Sequence, residues 1–268
     1  MAQGDFFLVE QKDDIAWLTI NRPKKLNAMD FDFFKGLTLH FKHFATDPGT
    51  RVVIIKAAGK NFTVGIDLAA ATSIIGNGAA DDREGLWRKI RELQEGIQAI
   101  EDCCKPVIAA VHGYCIGGGV DMICACDIRL AEKSSLFSIR ETRMGIVADL
   151  GTLQRLPRII GDGCCRELAL TGRDFAAPEA YAMGLVTRVC DGRTHLYDQA
   201  EALARQIADN PPLTVQGVKD VINYSRDVSA DAGLRYTAQK NAALLHSEDF
   251  FEAINAFREK RKPRFTGK

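Results

Sequence analysis

The pattern of apolar and polar positions divides the chain into alternating strand-like and helix-like segments. Residues 6–10 and 15–20 predict two paired strands, which a short polar turn connects. Residues 52–55 and 107–111 are short, uninterrupted apolar runs, as expected of parallel strands that are buried on both faces. Because helical segments alternate with these strands, the sequence predicts an α/β protein.

Helices are predicted where apolar residues recur with the helical period. Asp30 is placed to cap the start of one helix, whose apolar face carries Phe31, Phe34, Leu37 and Phe41. Residues 84–100 repeat the pattern. The stretch 69–82 before them is small and polar and contains two glycines, which predicts a mobile loop.

The pattern changes near residue 195. Strands are predicted up to this point, the last two at 127–131 and 185–189, and helical segments follow it. The helical segments are 196–208, 213–224, 230–246 and 248–260. We therefore predict a core of residues 1–194 and a helical C-terminal subdomain of residues 195–268.

Composition and charge argue against several classes of protein. The 268 residues are 46% apolar and carry no formal net charge, so a sizeable core is expected and nucleic-acid binding through net charge is not. No apolar run reaches the ~18 residues of a membrane span. The eight cysteines lack zinc-ligand spacing, and no metal site is predicted. Their apolar neighbours suit reduced thiols, and no secretory signal is found, so we predict a cytoplasmic location.

A glycine-rich turn follows the predicted strand at 107–111. Gly117, Gly118 and Gly119 precede an apolar segment, 120–126, that can continue as a helix. This layout directs unpaired backbone N–H groups out of the helix start, and glycine permits the close approach of a ligand. Two interpretations are open: an oxyanion hole, or a tight connection that binds nothing. A phosphate-binding loop is excluded, because no Gly-Lys-Ser/Thr follows.

Three acids follow the turn, and each has a structural interpretation. Asp121 stands in a first helical turn, where the helix dipole favours a carboxylate. Glu141, flanked by Arg140 and Arg143, fits a surface ion pair. Asp149 fits a helix N-cap. Taken singly, these structural interpretations are preferred to a catalytic one.

Segments spread along nearly the whole chain together resemble the crotonase (enoyl-CoA hydratase/isomerase) superfamily. They are Asn21-Arg22-Pro23 with Leu26-Asn27-Ala28-Met29, Gly65-Ile66-Asp67-Leu68, the glycine-rich turn, Thr152-Leu153-Gln154-Arg155-Leu156-Pro157, and the closing basic stretch up to Pro263. Asp121, Glu141 and Asp149 resemble the Δ3,5-Δ2,4-dienoyl-CoA isomerases, since typical hydratases have Glu and Gly in place of the two aspartates. The resemblance implies a spiral core of β-β-α turns and a helical C-terminal region that builds a trimer.

The resemblance also implies a reaction. It implies an isomerase of fatty-acid β-oxidation that converts 3,5-dienoyl-CoA to 2,4-dienoyl-CoA by acid/base proton transfer. One carboxylate removes a proton and a second carboxyl group delivers one, so Glu141 and Asp149 are the predicted pair. By analogy with hydratases, Glu141 works near C2 and Asp149 near C6, although the opposite assignment stays open. Asp121 is expected to orient or polarise the site, which makes all three acids predicted catalytic residues.

Further positions follow from the resemblance. The backbone N–H groups of Val64 and Gly118 are the implied oxyanion-hole donors. The implied substrate- and CoA-binding residues are Lys25, Thr63, Val64, Gly65, Ile66, Asp67 and Gly118. The acyl chain is expected between apolar walls formed by Ile66, Leu68, Ile116, Ile146 and Leu150. The expected partners are an acyl-CoA thioester and further copies of the chain in a trimer or hexamer, with no nucleic acid, membrane, metal or cofactor.

Two alternatives to the isomerase remain. One is an enoyl-CoA hydratase, in which two acids bracket a water molecule. Asp121 in place of Glu and Asp149 in place of Gly count against it. The other is a catalytically silent crotonase that acts as a binding protein, against which the three retained acids argue.

Overall fold

The structure, a computed structural model, describes residues 6–72 and 79–268. Its strands are β1 Phe7–Lys12, β2 Ile15–Ile20, β3 Val52–Ala57, β4 Val107–Val111, β5 Tyr114–Ile116, β6 Ile128–Glu132, β7 Leu136–Ser138, β8 Asp174–Ala176 and β9 Arg188–Cys190. Its α-helices are α1 Phe31–Thr46, α2 Leu68–Thr72, α3 Ala80–Asp102, α4 Gly118–Ala125, α5 Thr152–Ile160, α6 Asp162–Thr171, α7 Ala177–Ala182, α8 Arg193–Ala208, α9 Pro212–Ser225, α10 Ala230–Leu244 and α11 Glu248–Glu259. The predicted α/β class is confirmed.

The strands form two sheets. The larger has the order β1-β2-β3-β4-β6-β9, in which β1 pairs with β2 antiparallel and the other pairs are parallel. The smaller has the order β5-β7-β8. The chain passes from the larger sheet to the smaller one twice, in the connection from β4 to β5 and in the connection from β6 to β7. This alternation places β5, the glycine-rich turn and β7 together on one side of the core.

Both faces of the larger sheet are covered, which explains the uninterrupted apolar runs. One face carries Leu18 and Val53 and packs against the apolar sides of α1 and α3. The opposite face carries Trp17 and Ile54 and packs against α8. Because successive strand residues point to opposite faces, a strand between two layers has to be apolar at every position.

Two local predictions need correction. The stretch 69–82 is not wholly a loop, because α2 covers its beginning and α3 starts at Ala80; its part at 73–78 lies outside the described residues. The strand predicted at 185–189 is confined to its end, Arg188–Cys190. Leu185 and Val186 are buried but belong to no strand. The apolar run that suggested a strand there therefore reflects packing in the core and not sheet formation.

The helices predicted after residue 195 are confirmed as α8 to α11. Helix α8 shares a hydrophobic cluster with the larger sheet through Leu196, Ala200 and Ala204. The division into domains at residue 195 stays a prediction, although α8 belongs to the packing of the sheet. Across residues 6–72 and 79–268, no helix has the length and hydropathy needed to cross a membrane.

Candidate active site

The glycine-rich turn connects β5 to α4 in a conformation that needs glycine. Gly117 caps α4 with φ +52° and ψ −118°. A Cβ atom on Gly117 would lie 2.9 Å from Oε1 of Glu141, and one on Gly119 would lie 2.5 Å from Cγ2 of Thr63. Side chains at these positions would therefore push the turn away from the groups that surround it.

The backbone segment that carries Val64 runs beside this turn. Thr63 forms a parallel bridge with Cys115, and the N–H of Ile116 donates to the carbonyl of Thr63 at 3.1 Å. A Cβ on Gly65 would lie 3.4 Å from the nitrogen of Gly118, so the two segments touch at these residues. Among the backbone groups of the described residues, neither the N–H of Val64 nor that of Gly118 finds a carbonyl acceptor.

Asp121 lies in α4 and is 1% exposed. Its Oδ1 accepts a hydrogen bond of 2.6 Å from the N–H of Thr152, the first residue of α5. Burial raises the pKa of Asp121 to about 6, and the charge of Asp149 adds to the rise, whereas the hydrogen bonds from Thr152 oppose it. Asp121 therefore caps a helix other than its own.

Glu141 begins a 3-10 turn, Glu141–Met144, directly after β7. Burial, together with the charges of Asp121 and Asp149, raises its pKa to about 7. Its Oε2 is buried and has no hydrogen-bond partner within the described part of the chain. The neighbouring Arg140 pairs with Asp174 instead, so the structure does not support a surface ion pair for Glu141.

Asp149 lies in the turn before α5, but it does not cap this helix. The N-cap is Gly151, and no side chain of the cap residue bonds to the helix start. The carbonyl oxygen of Asp149 accepts a hydrogen bond of 2.5 Å from Nε2 of Gln94 in α3. Burial raises the pKa of the Asp149 carboxyl group. The structure thus brings all three acids within electrostatic reach of one another, each with a raised pKa.

A cleft of about 880 Å³ lies on one side of Asp149. Its walls come from α3, α5, α9 and the turn 149–151. Of the three acids and two oxyanion donors predicted above, all within the described residues, Asp149 alone lines this cleft. The cleft therefore borders Asp149 and is not lined by the predicted oxyanion donors Val64 and Gly118.

A sequence profile of one family, described as "Enoyl-CoA hydratase/isomerase", matches residues 10–268. The chain belongs to this family, the crotonases. It is 47% identical over 253 residues to the peroxisomal Δ(3,5)-Δ(2,4)-dienoyl-CoA isomerase of Arabidopsis thaliana, covering 92% of this chain and 91% of the relative. It is 42% identical over 248 residues to the mitochondrial enzyme of the same name from Homo sapiens, covering 91% of this chain and 76% of the relative.

Solved crotonase structures have the same fold. An enoyl-CoA hydratase from Bacillus anthracis superposes with a TM-score of 0.91 at 31% identity, covering 98% of this chain and all of the other. An enoyl-CoA hydratase from Mycobacterium smegmatis gives a TM-score of 0.87 at 26% identity, covering 97% and 99% of the two chains. The predicted crotonase fold is confirmed.

The prediction of a cytoplasmic location for this crotonase is wrong by these comparisons. The names of the dienoyl-CoA isomerases that it resembles place those enzymes in peroxisomes or mitochondria. The prediction relied on the cysteines, and all eight are indeed free thiols. Thiols that are buried in a core stay reduced in any compartment that lacks an oxidant, so their burial does not distinguish between these locations.

The predicted CoA-binding residues of this crotonase have different surroundings. The Lys25 side chain is 62% exposed and lies 3.9 Å from the carboxylate of Asp67, which also pairs with Arg22 at 3.6 Å. Thr63 is fully buried, and its hydroxyl donates to the carbonyl of Asn27 at 2.7 Å. Its backbone N–H and carbonyl are paired as well, with Tyr114 and Ile116, so Thr63 holds its segment in place and presents no free group to a substrate.

The predicted apolar walls range from buried to exposed. Ile116 and Leu150 are buried, Ile66 is half-buried, and Leu68 and Ile146 are exposed. Within residues 6–72 and 79–268, no three His, Cys, Asp or Glu side chains lie close enough together to hold a metal ion.

Sequence reasoning missed two residues that shape this site. Gln94 contacts the turn that carries Asp149, and Thr152 binds Asp121. Gln94 belongs to a segment whose helical pattern concerns the core, and Thr152 was noted only as part of a family motif. Neither residue carries a local sign of its partner. Their contacts join residues more than 30 positions apart, so only the tertiary structure reveals them.

Proposed function

We propose that this crotonase isomerises 3,5-dienoyl-CoA to 2,4-dienoyl-CoA. The observation that carries the proposal is a cluster of three carboxyl groups beside the glycine-rich turn, with Asp121 buried, Glu141 and Asp149 half-buried, and the pKa of each raised. Relatives with 42% and 47% identity that are named for this reaction support the same conclusion. Asp149 favours isomerisation over hydration, because typical hydratases have Gly at this position.

The reaction is a proton transfer from one carbon and to another. An ionised carboxylate takes the proton from C2, and the electrons of that C–H bond form the enolate of the thioester. The double bonds then move to C2=C3 and C4=C5 as a carboxylic acid gives a proton to C6. Atoms and charge balance, and the acid and base finish with their protonation states exchanged. They reset by proton exchange before the next turnover.

The pair suits this task because it favours holding a single proton. Like-charge repulsion and burial both oppose two ionised carboxylates in one pocket. A carboxylate with a pKa of about 7, as for Glu141, is a far stronger base than an ordinary one, and about half of it is ionised at neutral pH. Glu141 Oε1 also lies close to Gly117, next to the oxyanion donor Gly118. This position supports the assignment of Glu141 to C2 and of Asp149 to C6.

The enolate oxygen would be stabilised by the N–H groups of Val64 and Gly118. Each such donor contributes about 3 kcal/mol to transition-state binding in comparable enzymes. Two N–H groups on adjoining segments that find no backbone acceptor fit this role. Asp121 would position the site through Thr152 and raise the pKa of Glu141 by its charge.

The substrate supplies all the remaining chemistry, and we propose that the enzyme uses no cofactor. The CoA moiety would bind near Lys25 and the segment from Thr63 to Asp67, with its phosphates attracted by exposed basic side chains. Binding at Lys25 has to compete with its neighbour Asp67, 3.9 Å away. Activity that survives a chelator and requires no added cofactor is the expected result; metal-dependent recovery after chelation would contradict it.

We further propose that the enzyme is a trimer or a hexamer. The C-terminal helices expose large apolar side chains, among them Leu234, Phe251 and Phe257 at 70%, 54% and 86%. Exposed apolar surface on this scale is typical of protein interfaces. Sedimentation is expected to give an oligomer, and a stable monomer at micromolar concentration would contradict this.

One pair of assays tests the proposed reaction. The protein is incubated with a 3,5-dienoyl-CoA and, separately, with a 2-enoyl-CoA, while absorbance is recorded. We expect the first substrate to gain the absorbance of a 2,4-dienoyl thioester and the second to change slowly. Fast hydration of the 2-enoyl-CoA alone would identify a hydratase, and no change in either assay would indicate a binding protein.

A further inference from the structure

Helix α3 contacts the turn that carries Asp149 through the side chain of Gln94. Nε2 of Gln94 donates a hydrogen bond of 2.5 Å to the carbonyl oxygen of Asp149. The rest of α3 is fixed in the core by Leu93, Ile97 and Ile100, which are buried. The bond therefore joins the backbone of a proposed catalytic acid to a rigid part of the fold.

A second side chain sets the orientation of the Gln94 amide. Nη1 of Arg91, one helical turn earlier, donates to Oε1 of Gln94 at 2.6 Å. A guanidinium group can only donate, so it requires the oxygen of the amide on its side. The nitrogen of Gln94 is then left facing Asp149, whose carbonyl can only accept.

The turn that carries Asp149 is held at its other end by Asp121. Oδ1 of Asp121 accepts from the N–H of Thr152 at 2.6 Å. Between these two ties lies Gly151, which has φ +124°, a backbone conformation that other residues rarely adopt. Because the glycine itself allows many conformations, the position of Asp149 depends on both ties.

We propose that Gln94 is a positioning residue for the reaction, which holds the main chain of Asp149 so that its carboxyl group meets C6 while Glu141 meets C2. The inference rests on the proposed function. Gln94 itself touches neither substrate nor the migrating protons. Its effect on the rate comes from how accurately the carboxyl groups of Glu141 and Asp149 face C2 and C6 of the acyl chain. Displacement of a reacting group by ~1 Å can lower the rate about 10²-fold.

The test compares Gln94→Leu with Glu95→Ala. Leu has a similar size but no donor, whereas Glu95 is the exposed neighbour on the same helix and lines the same cleft. We expect Gln94→Leu to lower kcat for the 3,5-dienoyl-CoA by about 10- to 100-fold with KM nearly unchanged. Glu95→Ala is expected to keep wild-type constants, and both variants to keep the wild-type Tm.

Two further variants distinguish a loss of positioning from a general folding defect. Gln94→Glu keeps the size and the partner Arg91 but turns an acceptor toward the Asp149 carbonyl, so its kcat is expected to fall at least as far as that of Gln94→Leu. Arg91→Leu leaves the donor in place and removes only its orientation, so a smaller loss is expected. A kcat within twofold of wild type for folded Gln94→Leu, or a loss confined to KM, would overturn the inference.

A double variant shows whether Gln94 acts through Asp149. In an Asp149→Asn protein, the side chain to be positioned no longer carries a proton, so Gln94→Leu should add little further loss. Losses that multiply would overturn the inference while leaving the proposed function intact. An Asp149→Asn protein that isomerises at the wild-type rate would overturn the proposed function and this inference with it.

Discussion

Asp121 and Glu141 are two buried carboxyl groups with very different surroundings. Oδ1 of Asp121 accepts a backbone N–H at 2.6 Å, whereas Oε2 of Glu141 is buried without a partner in the described structure. Burial raises the pKa of both, to about 6 for Asp121 and to about 7 for Glu141. The hydrogen bond from the N–H of Thr152 opposes this rise in Asp121, while in Glu141 a backbone hydrogen bond opposes it.

The difference separates a structural role from a chemical one. A carboxylate that accepts a structural hydrogen bond is stabilised in its ionised form and keeps its position. A buried carboxyl group without a partner is costly to keep ionised, and its free oxygen remains available to a substrate C–H bond. The comparison therefore supports the proposed roles: positioning for Asp121 and proton transfer for Glu141, with Asp149 as its counterpart.

The largest expected effect is on proton transfer itself. Glu141→Gln and Asp149→Asn keep the shape of each side chain but remove the ionisable group. Each should lower the isomerisation rate by about 10²–10⁴-fold, the usual contribution of a general acid or base. Steady-state kinetics would measure this, and the double variant should lose much less than the product of the two, because the acids act as a unit.

The pH dependence of kcat/KM should show a maximum where the pair holds one proton. As the pH rises through about 7, the pair loses its one shared proton and becomes doubly ionised, so no carboxylic acid is left to protonate C6 and the rate should fall about tenfold per pH unit. At acid pH the second carboxyl group is protonated and the rate should fall again. A rate that is flat from pH 6 to 9 would contradict a shared proton.

Asp121 should be more tolerant of a change that keeps its acceptor oxygen. Asp121→Asn preserves Oδ1 for the N–H of Thr152, so its rate loss should stay well below the ~10²-fold expected of a proton carrier. Asp121→Ala leaves that N–H without its partner and should lower the free energy of unfolding by about 1–3 kcal/mol. Kinetics and urea denaturation of both variants would measure these effects. Equal rate losses in the two variants would contradict a positioning role.

Glu141 should lower the stability of the folded protein at neutral and alkaline pH. Its pKa in the folded state, about 7, lies above the usual value of 4.5. The stability linked to this group is therefore complete below pH 4.5 and is lost as the pH rises through about 7. Glu141→Gln, although inactive, should gain about 1–2 kcal/mol over wild type at pH 8, once its partial exposure is allowed for. Urea denaturation at pH 5 and pH 8 would test this, and a gain of equal size at both values would contradict the cause.

The smallest effect is expected far from the acids. Lys25→Glu reverses an exposed charge beside Asp67 and should raise KM for the acyl-CoA by roughly threefold to tenfold with little change in kcat, since phosphate contacts bind substrate and transition state alike. Lys24→Glu provides a matched control on the same 3-10 turn. A larger effect of Lys24→Glu would move the proposed CoA contact to that residue.

Much of the fold was predictable because its signals are local. Asp30 was expected to cap α1, and its carboxylate does accept the N–H of Phe33 at 3.2 Å. Helices α9 and α11 begin and end within two residues of their predicted limits. The short strands β5, β7 and β8, of three residues each, were not predicted, because a period of two cannot be recognised over so few positions.

The sequence by itself determined the α/β class, the family and the identity of the three acids. Apolar periodicity and family motifs can be recognised in it because each involves residues that are neighbours in the sequence. It left the role of each acid undecided between a cap, an ion pair and a catalyst. Only the tertiary structure assigned Asp121 to the start of α5 and brought Gln94 to the backbone of Asp149. The physical reason is that burial and hydrogen bonding, which set the pKa of a carboxyl group, come from segments that are distant in the chain and adjacent only after folding.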